Sequence, residues 1–88
     1  MQMKELEKTM KALANKRRLA ILKFLKKRTQ APVAEIAEAI NLSFEATSKH
    51  LGILFNAEIL EREQISPQIY YRISDGVKPP IKSLLSML

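Results

Sequence analysis

The sequence predicts a mainly α-helical domain that carries one small β-hairpin. Two observations lead there. Apolar residues recur at helical spacing in five segments, and between residues 59 and 73 the spacing changes to two. A length of 88 residues with 47% apolar composition fits one globular domain and leaves no room for a second core.

The first segment sets Met3, Leu6, Met10 and Leu13 on one seam of a helix ending near Ala14. Asn15 is a suitable N-cap for a second helix, from about Lys16 to Arg28. Its buried line is Leu19, Leu22 and Leu25, broadened by Ile21 and Phe24. Lys26, Lys27 and Arg28 fall in its last turn, where cations complement the helix dipole. Pro32 can open a third helix with Val33, Ile36, Ala37 and Ile40 inward. Asn41 breaks it, because asparagine tolerates the left-handed backbone of a tight turn.

Ser43 caps the fourth helix, with Glu45 in its positive first turn and Leu51, Leu54 and Phe55 inward. Ile59 to Ile65 and Ile69 to Ile73 alternate as strands of a hairpin around Ser66, Pro67 and Gln68. Pro79 and Pro80 then open a last helix, over about 79–88, bearing Ile81, Leu84, Leu85 and Leu88 at i, i+3, i+4 and i+7. The order is therefore α-α-α-α-β-β-α.

Composition narrows the function. Without cysteine there is no disulfide, thiolate nucleophile or thiolate metal site. The single histidine, His50, has no acid evidently placed to orient it, so no nucleophile–base set exists and an enzyme is not expected. The longest apolar run is Leu19 to Leu22, too short for a membrane span or a signal peptide, which makes a soluble cytoplasmic protein the expectation. The net charge of +6 is uneven: residues 1–30 carry ten basic and two acidic side chains, residues 31–88 five and seven. A positive field on the first third of the chain points to a polyanion, foremost nucleic acid.

The stretch VAEIAEAINLSFEATSKHLGIL meets the requirements of a helix-turn-helix over about 33–56. Ala37 is small enough for close approach of the two helices. Ile36, Ile40 and Leu42 lock the turn, and Leu51 and Leu54 anchor the second helix. Ser43, Phe44, Glu45, Ser48 and Lys49 are left outward near its N-terminus, the end that meets base edges in the major groove. Glu45 either complements the helix dipole or accepts from cytosine, and Phe44 suits a thymine methyl or packing on the turn. The hairpin over about 59–73 is then the wing of a winged helix.

LANKRRLAIL, IAEAINLSFEATSKHLGIL, ILEREQ and IYYRI resemble the ArsR/SmtB family of winged-helix repressors. The corresponding family stretches look like LANPTRLRIL, LAEALGLSQSTVSRHLKVL and a wing ending YYRL. The match runs from about Met10 to Ser74. It implies a homodimeric transcriptional regulator of double-stranded DNA, with Ser43, Phe44, Glu45, Ser48, Lys49 and His50 where the family meets DNA. Lys16, Arg17 and the wing's Gln64, Ser66 and Gln68 complete the expected DNA surface, while Arg18 is a candidate for internal pairing. The dimer would form through the first and last helices, using Met3, Leu6, Met10, Ile81, Leu84, Leu85 and Leu88; the alternative is that both helices pack on the domain's own core.

The departures from the family pattern are specific. Gly52 stands where lysine is frequent, Ser66, Pro67 and Gln68 replace the wing glycine and arginine, and Glu58 stands where a helix-ending glycine is expected. The family's metal sites are also not reproduced. The segment APVAEIAEAI has no cysteine, and Asp75 is followed by Val77 in place of histidine. No metal and no cofactor are expected. The alternative to a regulator is a winged-helix protein-interaction module, favoured by the −2 balance after Gln30 and the neutral wing tip.

Overall fold

Four helices precede the hairpin and one follows it. In a computed structural model describing residues 1–88, α1 spans Met3–Leu13, α2 Lys16–Lys26, α3 Val33–Ile40 and α4 Phe44–Asn56. Strand β1 (Ala31–Pro32) precedes α3, β2 (Leu60–Ile65) and β3 (Gln68–Ile73) form the wing, and α5 covers Pro79–Met87. The sheet is antiparallel in the order β1-β3-β2.

Local chemistry sets the boundaries. The Asn15 side chain accepts the Arg18 backbone N–H at 3.1 Å, and Ser43 Oγ accepts that of Ala46 at 3.1 Å. Each cap satisfies an N–H that the first helical turn leaves orphaned. Asn41 is left-handed at φ 56°, and Leu42 N–H closes onto the Ala37 carbonyl at 3.0 Å, which ends α3 in one tight turn. Glu58 does the same after α4, at φ 63°, where Ile59 N–H closes onto the Leu54 carbonyl at 3.0 Å. The position that favours glycine is thus filled by a glutamate.

The core lies between α2, α3, α4 and the root of the wing. Ile21, Leu22, Leu25, Ile36, Leu51, Leu54, Ile59 and Leu60 are its largest fully buried apolar side chains. Ala12 and Leu13 from α1, Tyr71 from β3 and Ile81 from α5 close its edges.

Four expectations need correcting. Helix α2 stops at Lys26, because the N–H groups of Lys27 and Arg28 bond three residues back in a tighter turn. Pro32 does not open α3 but caps it in extended backbone, since Ala31 and Pro32 pair with Tyr71 and Tyr70 of β3. Gln68 belongs to the strand, paired with Ile65, so Ser66 and Pro67 alone make the turn, across a cis bond. Ile81, expected on a subunit seam, is only 3% exposed and fills the domain's own core.

The terminal helices divide the rest. Leu84, Leu85 and Leu88 are half-buried against the core. Helix α1 instead buries Thr9, Ala12 and Leu13, leaving Met3 86% exposed, Met10 exposed and Leu6 half-buried. An ion pair between Glu5 and Lys78, the N-cap of α5, ties the two helices together. It also holds the Glu5 carboxyl below its ordinary pKa.

Candidate nucleic-acid interface

Helix α4 presents its first two turns to solvent. Thr47, Leu51 and Leu54 take its inner face, so Phe44, Glu45 and Lys49 are exposed and Ser48 is half-buried. Phe44 is 58% exposed, which leaves most of its ring facing water. Lys49 is in none of the chain's ion pairs, so its charge is available to an external anion. Phe44 and Ser48 share a cleft with Pro67, Gln68 and Ile69 of the wing. The apolar wall of that cleft is legible only once the wing is folded beside α4.

Lys16 opens α2 exposed and unpaired, at the edge of the helix-turn-helix. Arg17 Nη1 donates to the Ile40 carbonyl at 3.4 Å, at the end of α3. Arg18 turns inward. Its Nε donates to the Ala12 carbonyl at 2.6 Å and its Nη2 to the Lys11 carbonyl at 3.2 Å. Its Nη1 lies 3.1 Å from His50 Nδ1 on α4. One guanidinium therefore joins the end of α1, the start of α2 and the middle of α4. Burial, then the charges of Arg18 and Arg17, lower the His50 pKa below its ordinary 6.5.

The wing offers no free cation. Arg72 donates from Nε to Glu61 Oε1 at 3.0 Å, and its Nη2 lies 2.9 Å from the same oxygen. Arg62 lies over the Phe55 ring, 3.8 Å from its centroid. At the tip, Gln64 and Ser66 are exposed, and Gln68 Oε1 accepts from the Tyr70 hydroxyl at 3.2 Å. The neutral tip was readable in the sequence. The engagement of both arginines was not, because cross-strand partners depend on register. No three His, Cys, Asp or Glu side chains cluster to hold a metal ion.

A helix-turn-helix whose second helix is flanked by a β-hairpin defines the winged-helix class of DNA-binding folds. The sequence profile of the arsR family of bacterial regulatory proteins matches residues 15–62, more than half of the chain, and the protein belongs to that family. Its members are transcriptional regulators and not enzymes.

Solved structures agree. Reduced HlyU from Vibrio cholerae superposes with a TM-score of 0.81 at 27% identity, covering 97% of this chain and 85% of that one. The homodimeric winged helix-turn-helix DNA-binding domain of Mb0332 from Mycobacterium bovis, a possible ArsR-family transcriptional regulator, gives 0.81 at 28%, covering 96% and 74%. The transcriptional repressor BigR from Xylella fastidiosa gives 0.80 at 25%, covering 97% and 83%. Compared by sequence with curated proteins, the chain matches none. No helix is long and apolar enough to cross a membrane.

Proposed function

We propose that this protein is a cytoplasmic transcriptional repressor that binds an inverted-repeat DNA operator as a homodimer, without a metal ion. The observation that carries the reading is the free N-terminal face of α4, with its cap satisfied by Ser43 and Phe44, Glu45 and Lys49 exposed. Such a face meets base edges in the major groove, and Lys16, Arg17 and Lys49 supply charge for the phosphates. Similarity to BigR, described as a repressor, supports the sign of regulation.

Mb0332 supports the dimer, as does the unburied Met3 and Met10 of α1 beside the half-buried leucines of α5. Two copies would present their recognition helices to grooves about 34–36 Å apart, one turn of DNA. Metal independence rests on the donor set: no cysteine, and one histidine already held by Arg18.

The second reading, a protein-interaction module, is favoured by one observation: both wing arginines are engaged within the chain. Selection of duplexes from a random pool by the purified protein separates the two. Enrichment of an inverted repeat with half-site centres about 10 base pairs apart is expected. No enrichment at low salt would leave the module.

A further inference from the structure

An open groove of about 480 Å³ runs between α1 and the second half of α4. Ile53 and the small side chains of Ala12 and Ala57 give it an apolar lining, and Lys4, Lys8 and Lys11 give it a cationic one. Ile53 is 43% exposed and lies outside the buried core, so nothing within the chain covers it.

The cations are free to meet a partner. Lys4 and Lys8 are exposed and in none of the chain's ion pairs, and Lys11 is only loosely paired to Glu7, at 3.9 Å. Arg18 lines the groove as well, and Glu7 is its single carboxylate. The three lysines stand at i, i+4 and i+7, which puts them on one face of α1 over two turns, about 10 Å.

The surfaces already assigned leave this groove open. Met3 and Met10 lie roughly a third of a turn round α1 from the lysines, so a dimer seam there does not cover them. Phe44 and Glu45 are in the first turn of α4, whereas Ile53 and Asn56 are in its last two.

We infer that this groove docks an acidic amphipathic helix of another protein, with an apolar side chain on Ile53 and carboxylates against the lysines. Helix-in-groove recognition uses that combination, apolar anchors at i and i+3 or i+4 laid on an apolar strip. Complementary charge at the edge then fixes register and speeds encounter. A DNA duplex is a poor occupant, because its phosphates lie on a convex surface and Ile53 has nothing to offer them. A second copy offers little complementary charge. Glu5, Glu7, Glu35, Glu61 and Glu63, five of the chain's nine acidic side chains, are already in ion pairs. The inference stands on the groove alone and holds whether or not α4 reads DNA.

The probe is a synthetic helical peptide with leucine at i, i+4 and i+7 and glutamate on both flanks; its control has the same residues in scrambled order. Titrated at low salt into the nitrogen-15-labelled full chain, the peptide is expected to bind in the micromolar range. The amides of residues 4–12 and 53–57 should shift. Ile53→Ser is expected to weaken binding roughly tenfold, as loss of a central apolar anchor does. Lys4→Gln with Lys8→Gln should weaken it too and flatten its salt dependence. All three side chains are exposed and the replacements keep similar or better helix propensity, so the melting temperature should hold.

Equal binding of the scrambled control, or shifts confined to the first turns of α4, would overturn the proposal. Unchanged peptide affinity in Ile53→Ser would do the same. If Ile53→Ser weakens duplex binding as much as peptide binding, the groove belongs to the DNA surface and the proposal fails. Association of the wild type beyond a dimer, abolished in Ile53→Ser, would make a second copy the occupant and also overturn it. A wild type that binds the peptide but no duplex removes the DNA-binding reading and leaves this one standing.

Discussion

The guanidinium of Arg62 lies over the ring of Phe55, 3.8 Å from its centroid, and joins the wing to the last turn of the recognition helix. Arg62 Nη1 also reaches the Tyr71 hydroxyl at 3.5 Å, across the hairpin. A basic residue of the wing is thus held against the recognition helix and the neighbouring strand. Arg62→Ala should cost about 0.5–1 kcal/mol, the range of an exposed cation–π contact. In a domain of this size that lowers the melting temperature by several degrees. The salt slope of DNA binding should not change. A flatter slope would show that Arg62 meets phosphate after all.

The unpaired cations should behave in the opposite way. Alanine at Lys16 or Lys49 should leave the melting temperature nearly unchanged and flatten the salt dependence by about 0.9 each. Alanine at Ser48 or Phe44, the cleft-facing neutral positions, should instead relax preference at particular operator positions by roughly 1–3 kcal/mol. If neither class alters affinity or preference, α4 is not the reader.

Two backbone positions are open to improvement. Glu58 sits at φ 63°, where a side chain with a Cβ is strained by roughly 1–2 kcal/mol. Glu58→Gly relieves that strain against some loss of chain entropy, and a gain of up to about 1 kcal/mol is expected. Gly52 is in the interior of α4, and a Cβ there would meet nothing within 4 Å. Gly52→Ala should therefore stabilise by about 0.5–1 kcal/mol. Chemical denaturation measures both. A loss of stability in Gly52→Ala would contradict the open space beside that position.

Subunit association should depend on α1 more cleanly than on α5. Charging Leu84 or Leu88 also injures the monomer, because both pack partly on its core. Met3 and Met10 are exposed one heptad apart and lie outside the buried core. Met3→Glu with Met10→Glu should leave the fold intact and shift a dimer to monomer in sedimentation. Specific DNA binding should then fall far more than the two added charges explain. A wild-type monomer at micromolar concentration that still binds tightly would refute the dimer.

His50 gives the stability a pH dependence of known sign. Its folded-state pKa lies below the ordinary 6.5, so protonation favours the unfolded chain. The contribution is complete above about pH 6.5 and fades as pH falls through the lowered folded-state value. Thermal melts from pH 8 down to 5 should show a steeper loss in wild type than in His50→Gln, which cannot titrate. Parallel curves would mean that His50 is not perturbed.

The local elements of this protein are written in its sequence because each has a local cause. Periodicity places five helices and the hairpin, Asn15 and Ser43 supply side-chain caps, and Asn41 supplies the left-handed turn. The family motifs lie in the same local stretches, so the winged helix and the outward residues of α4 were readable too. What needed tertiary structure is what depends on residues distant in sequence. The strand Ala31–Pro32 is too short to carry a period and exists only because Tyr70 and Tyr71 are there to pair with it. Periodicity marks a seam on α1 but not which side meets the core; packing chose Thr9, Ala12 and Leu13 and left the methionines outside. Charge counting could not tell that Arg62 and Arg72 are engaged while Lys49 is free, since pairing follows from strand register and helix docking. The link from Arg18 to His50, 32 residues apart, arises because α2 packs against α4 and brings a donor-only fork to an imidazole.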